Sequence, residues 1–175
     1  MIGSHQLLMT NFTTGEPQTV VRTFDSSGSF TVPSDVSTIE LLMVGGGGGG
    51  GAVRGAGAGG GGVVFYSAGN TLQVTAGETY TITVGLGGTG GTTAADKFNG
   101  GDSKFEKAGG ASGFTDVVIA KGGGAGGRGY VGQAGNNGGC GGGAGAGAAK
   151  GTTNQTTQDA NRSDIVVGHG KNAGT

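Results

Sequence analysis

Val44 runs straight into glycine at 45–51, which puts a glycine-rich turn after an apolar segment, where a dinucleotide pyrophosphate would need one. Any polyglycine satisfies that glycine spacing. The motif also requires a following helix and an acidic residue about 20 positions on. Here the chain continues into more glycine, and Val63 to Ser67 contain no acid. A phosphate loop needs a hydroxyl residue after Gly-Lys, and Gly170-Lys171 is followed by Asn172. The two histidines, His5 and His169, stand near opposite ends of the chain and do not suggest a metal pair or a catalytic base. Asp96, Asp102 and Glu106 are loosely grouped, but a hydrolytic pair needs two carboxylates converging in a cleft. They read as turn residues and solvated charges. Cys140 is the single cysteine, so it permits no internal disulfide and no cysteine-based metal cluster. It reads as a small residue tucked into a glycine layer. The chain is therefore expected to be a non-enzyme with no catalytic residue, bound metal or cofactor.

Binding remains. Arg128-Gly129-Tyr130 interrupts the longest glycine-rich block. A rigid aromatic beside a cationic donor on a loop tip suits contact with a sugar or an outer-membrane protein. Arg128 and Tyr130 are the receptor-contact candidates, and the plain alternative is that Tyr130 seals a packed layer.

The elements that must position these residues are constrained by composition. Of 175 residues, 47 are glycine, and only 12% are charged. Each glycine inside a helix or strand loses roughly 0.5–1 kcal/mol against alanine, so dozens would outweigh a typical stability of about 5–15 kcal/mol. A folded state must place most of them where only glycine fits. The net charge of −1 offers no electrostatic footprint for nucleic acid or an anionic membrane. The clear apolar run at 41–44 is far short of the about 20 residues that span a bilayer, so no membrane insertion is expected.

Strand-like text alternates with polyglycine. Segments 19–24 and 29–32 flank a turn signal, and Pro33 ends the second. A buried strand is expected over 37–44, followed by strands at 63–67, 71–74, 79–84, 104–105 and 115–120. The 79–84 segment alternates Thr against Tyr80, Ile82 and Val84, the period of a half-buried strand. Strands at this spacing predict an antiparallel sandwich.

Glycine runs are joined directly to strand ends, as at Val44-Gly45 and Val84-Gly85, and Ala, Val, Tyr and Cys break them more than Ser, Glu or Lys do. A flexible linker has the opposite character. The expected alternative is polyglycine II, an extended left-handed helix of three residues per turn with no internal hydrogen bonds. Packed side by side without Cβ atoms, such helices satisfy one another's peptide groups. The expected fold is all-β, a small antiparallel sandwich packed with a layer of polyglycine II helices. The glycine-rich domain is placed at 24–151, with an N-terminal extension or attachment segment at 1–23 and a polar C-terminal segment at 152–175.

The run from Phe30-Thr31-Val32-Pro33 through Leu42-Met43-Val44 into seven glycines resembles the opening of the glycine-rich domain of bacteriophage tail fibre and tail adhesin proteins. Gly77-Glu78-Thr79-Tyr80, Gly100-Gly101-Asp102-Ser103 and Ala120-Lys121-Gly122 are similar to its later landmarks, in the same order. The resemblance covers roughly 24–150. It implies a virion structural protein located in a tail or appendage, with other tail or fibre proteins as partners. It also implies contact with a host outer-membrane protein or glycan. A position along a fibre adds a homotrimeric state, since homo-oligomers close symmetrically. The inserts between glycine runs here are shorter than the loops of fibre-tip adhesins, which leaves room for a purely structural component. The rival from another class is an extracellular glycine-helix binding module unrelated to phage, such as an ice-binding protein. A flat Thr/Ala face and thermal hysteresis would mark that rival.

Overall fold

The computed structural model describes residues 19–92, 98–108, 117–129, 132–155 and 168–169. Nine strands lie among them: β1 Gly28–Thr31, β2 Thr38–Ile39, β3 Leu41–Val44, β4 Val63–Tyr66, β5 Leu72–Gln73, β6 Thr79–Thr83, β7 Ser103–Lys107, β8 Val117–Ala120 and β9 Gly168–His169. The described residues contain no helix, and every ladder is antiparallel. The all-β expectation holds.

Alternation decides which faces meet. The four-stranded sheet runs β1-β6-β7-β8, and the three-stranded sheet runs β3-β4-β9. Tyr80, Phe105, Val118 and Ala120 of the first sheet meet Val64 and Tyr66 of the second in one buried cluster. Leu72 and Val74, in and beside β5, complete it together with Val32. The Tyr80 and Phe105 rings stack with centroids 4.5 Å apart. The Tyr80 hydroxyl, which would otherwise be stranded in this apolar setting, accepts the Thr75 N–H at 3.1 Å. The β5–β6 turn needs Gly77, whose φ is +77°, while Glu78 N–H donates to Thr75 O at 3.2 Å.

Two sequence expectations fail here. Segment 19–24 forms no strand, and Val20 and Val21 are 68% and 80% exposed. Its β-branched residues fit a strand, but the β1 edge of the sheet bonds only to β6. The strand expected over 37–44 breaks at Glu40 into β2, paired with β5, and β3, paired with β4. Nor is it buried: Leu42, its cross-strand partner Phe65, and Val44, which pairs with Val63, are all exposed. A continuous apolar run reads as a strand covered on both faces, but this one is covered on one.

The topology sends the glycine runs out of a single end of the sandwich. β3 ends, β4 begins, β6 ends, β7 begins and β8 ends there, because antiparallel register pairs Val44 with Val63, Thr83 with Lys104, and Ser103 with Ala120. Buried Ser103 ties the two sheets at this end. Its Oγ donates to Val44 O at 2.7 Å and accepts Gly85 N–H at 2.9 Å.

Beyond that junction the chain makes excursions outward and back. Residues 45–51 leave and 56–62 return, 85–91 leave and 98–102 return, and 121–127 leave and 134–139 return. Segments 140–145 and 149–155 make a further pass. Their backbone hydrogen bonds recur at every third residue. Gly45, Gly48 and Gly51 donate to Gly62, Gly59 and Ala56, while Gly46 and Gly49 donate to Gly101 and Phe98, all at 2.9–3.0 Å. Gly47 and Gly50 accept from Gly88 and Gly91. A strand, with period two, addresses two neighbours; a period of three lets one run address several.

Candidate functional site

The innermost run, 121–127, shows how a core without side chains is held. Residues 122–127 are all buried. Gly123 and Gly126 donate to Gly46 and Gly49, and Gly124 and Gly127 donate to Cys140 and Gly143. The remaining amides are met by side chains from elsewhere. Lys121 N–H donates to Gln155 Oε1 at 2.7 Å, Gly122 N–H to Asp102 Oδ1 at 2.8 Å, and Ala125 N–H to Asn99 Oδ1 at 2.9 Å. Carbonyls of the same run receive Ala56, Gly59, Gly62, Gly100, Asn136 and Gly139. A buried amide left alone costs about 1–3 kcal/mol, so this satisfaction is what makes the run stable.

Sterics explain why these positions are glycine. A Cβ on Gly45, Gly48 or Gly51 would fall on the carbonyls of Lys121, Gly124 or Gly127, and one on Gly46 or Gly49 on those of Leu86 or Thr89, all inside 3.0 Å. Gly47 and Gly50 differ, with no described atom within 4 Å of an added Cβ. Two positions in three are closed in this run and the third is open. Cys140 sits in the lattice as expected. Its N–H donates to Gly60 O and its carbonyl lies where a Gly59 Cβ would be.

Asp102 is a structural anchor in this lattice. Its Oδ2 lies 2.8 Å from Lys121 Nζ, and the pair is about one-third exposed. Burial pushes its pKa up, but the Lys121 hydrogen bond, the Gly122 N–H and the Lys121 and Lys104 charges outweigh that, and the carboxyl ends below its ordinary value. A depressed folded pKa means stability that is complete above the unfolded value of about 3.9 and is lost as pH falls through the lower folded value. Asp102→Asn keeps the oxygen that accepts Gly122 N–H but loses the charge. It is expected to cost about 1 kcal/mol at pH 7, with the gap to wild type closing below about pH 4. Urea midpoints at pH 7 and pH 2.5 check this.

Of the other residues the sequence singled out, Glu106 lies in β7 opposite Thr81 and Val117, and His169 pairs with Val63 in β9. His5, Asp96 and Tyr130 lie outside the described residues. Among the described residues no three His, Cys, Asp or Glu side chains gather around a metal-sized site, and no helix is long and apolar enough to cross a membrane.

Arg128 closes run 121–127 at the end farthest from the sandwich. Its carbonyl accepts Gln133 N–H at 3.3 Å. The neighbouring turn, between 51 and 56, was not foreseen as a candidate. Val53 and Arg54 both adopt positive φ, 48° and 56°, and both are exposed. Consecutive positive φ is the mark of a type I′ turn, which Asn-Gly normally fills. Asn99, Asn137 and Gln155 were also missed. Asn99 stands beside Gly100, Asn137 follows Asn136, and Gln155 follows Asn154, so no local spacing marks them as partners of distant amides.

A β-sandwich continued from one end by side-chain-free runs that bond to one another defines a glycine-rich all-β module. The chain belongs to the glycine-rich domain family, whose profile matches residues 23–175. Neither the curated proteins nor the solved structures contain a match.

Proposed function

We propose that this chain is a non-enzymatic virion structural protein, a component of a phage tail fibre or related appendage, whose distal turns contact a host surface receptor. In this reading the glycine runs are polyglycine II helices. The recurrence of inter-run bonds at every third residue supports that geometry, since three residues complete a turn of such a helix. The observation that carries the reading is the buried, amide-satisfied run 122–127, which makes the bundle a stiff projection instead of a tether. A run of seven residues at about 3.1 Å each carries its turn roughly 20 Å beyond the sandwich. Arg128 then stands at a projecting end, where a receptor is met, and Tyr130, two positions on in the sequence, is taken as its companion in that contact. The ordered tail-protein landmarks between 24 and 150 add to this.

Other tail or fibre proteins are the expected partners, and the expected state is a homotrimer. Light scattering then gives a particle of about three chains of 16.6 kDa. Mass spectrometry of purified particles from the encoding phage is the deciding experiment. Peptides of this chain in the tail fraction are the expected result, and their absence from the particles overturns the reading. For the contact itself, Tyr130→Ala is expected to lose capture of host outer-membrane extract. Undiminished capture by that variant removes Tyr130 from the contact.

A further inference from the structure

The bundle separates charge that the composition hides. The chain as a whole carries −1. Among the described residues the acids Asp25, Asp35, Glu40, Glu78, Asp102 and Glu106 all lie in the sandwich, its connections or its junction with the bundle. The outer ends of the runs carry Arg54, Arg128 and Lys150, and no described acid accompanies them. Lys150 belongs to this end because its neighbour Ala149 accepts Gly135 N–H, at the start of the returning run.

Arg54 and Arg128 occupy adjoining turns. The Arg54 carbonyl fills the space a Cβ on Gly129 would take, and Ala56 N–H donates to Gly127 O at 2.8 Å. Neither arginine forms an ion pair with a described residue; the two ion pairs among the described residues join Lys107 to Glu78 and Lys121 to Asp102, both away from this end. Arg128 Nε and Gln133 Oε1 are buried with no hydrogen-bond partner among the described residues. The positive charge at this end is therefore uncompensated by the described protein.

Backbone strain points the same way. A β-branched residue at positive φ is an outlier, and holding one there is costly. Glycine at 53 and 54 would remove that cost in a chain that uses glycine on both sides, at 51 and 55. The turn instead holds Val53 and displays Arg54. Strain retained against an available remedy is a feature of ligand-contacting segments. Among the described residues the exposed large apolar side chains near this end are Val53 and Phe98, too few for the apolar centre of a stable protein interface. An ionic, polar ligand fits better.

Taking the distal turns as the host-facing end, as above, we propose that Arg54 and Arg128 bind the carboxylate or phosphate groups of an acidic glycan. Each guanidinium offers a planar fork that matches either anion in bidentate fashion. Lys150 contributes to the attractive field of the same end.

Calorimetric titration of the purified chain at low salt and at 0.3 M NaCl tests this with three probes. Polygalacturonate supplies carboxylates, phosphomannan supplies phosphates, and dextran is neutral. Salt-sensitive binding to one or both acidic polymers and none to dextran is expected, and the two acidic arms identify which anion is preferred. Arg54→Asn keeps a residue that tolerates positive φ and is expected to weaken binding at least five-fold. The double variant with Arg128→Gln is expected to weaken it at least thirty-fold. Lys107→Gln, in the sandwich, stays within two-fold of wild type. If Arg128→Gln does not fold, exposed Arg54→Asn and Arg54→Glu carry the decision, with charge reversal the more damaging. Acidic polymers bound no better than dextran, Arg54 variants that bind like wild type, or equal losses from Lys107→Gln would each overturn the inference. A particle-borne chain that ignores both acidic polymers overturns this inference alone. A chain that binds them through Arg54 but is absent from purified particles overturns the virion reading alone.

Discussion

Gly123→Ala is expected to destabilise the protein by about 3 kcal/mol or more, while Gly50→Ala leaves it as stable or more so. The same methyl is added in both cases. At Gly123 it would fall on the Gly59 carbonyl, with Gly60 O and Gly48 N at 2.7 and 2.8 Å on other sides. All three are backbone atoms of runs that are themselves bonded to neighbours, so none can swing aside as a side chain would. Making room means separating runs. That breaks the Gly123 N–H bond to Gly46 O and the Gly59 N–H bond to Gly124 O, each 2.8 Å long. Each such bond is worth roughly 0.5–1.5 kcal/mol, and more if a buried group is left unmet.

At Gly50 no described atom lies within 4 Å of the new carbon, and its φ is not in the left-handed region. The substitution there mainly restricts the unfolded chain, which stabilises by about 0.4–1 kcal/mol. Urea unfolding of the two variants beside wild type is the measurement. Equal midpoints for Gly123→Ala and Gly50→Ala would show that the runs are not packed as described.

Phe105→Ala is expected to cost about 3–5 kcal/mol. Phe105 is 3% exposed, stacks on Tyr80, and sits in β7 opposite both Ile82 and Val118. Its removal leaves a cavity bounded by β-sheet that cannot collapse without changing register. The effect should not stay in the sandwich. Three residues before Phe105, Asp102 holds Gly122, and two residues before it, Ser103 bridges Val44 and Gly85. Loosening β7 therefore loosens the base from which the glycine runs leave. Amide exchange is expected to accelerate across 122–127 as well as in β6 and β8. Acceleration confined to the strands would mean that the bundle is stable on its own.

The strands were largely legible because side chains announce them. Tyr80, Ile82 and Phe105 alternate with polar residues and end up buried or half-buried, and Pro33 and Gly77 stand outside the strands. The failures came where one cue served two structures. Residues 37–44 read as one strand, but the change of sheet at Glu40 depends on which partners, Leu72 or Tyr66, lie across from it. Residues 19–24 have strand composition and no ladder to join.

For the candidate site, Arg128 was marked in the sequence by breaking a glycine block, and it stands at the outer end of the bundle. Arg54 was passed over, because nothing local distinguishes a positive φ at Val53-Arg54 from an ordinary break in polyglycine. Asp102 looked like a loose member of an acidic group. Only its proximity to Lys121 and Gly122 makes it a lattice anchor.

Composition by itself determined that most glycines had to lie where a Cβ is excluded, since the backbone entropy of so many could be offset in no other way. It also determined the strand text and the absence of a net electrostatic signature. The tertiary structure alone decided which glycines are closed and which open, which amides take a side-chain oxygen, and where the charges gather. Those properties belong to pairs of segments far apart in the chain. A residue without a side chain carries no mark of the neighbour it will meet, so the lattice could be inferred from the sequence while its addresses could not.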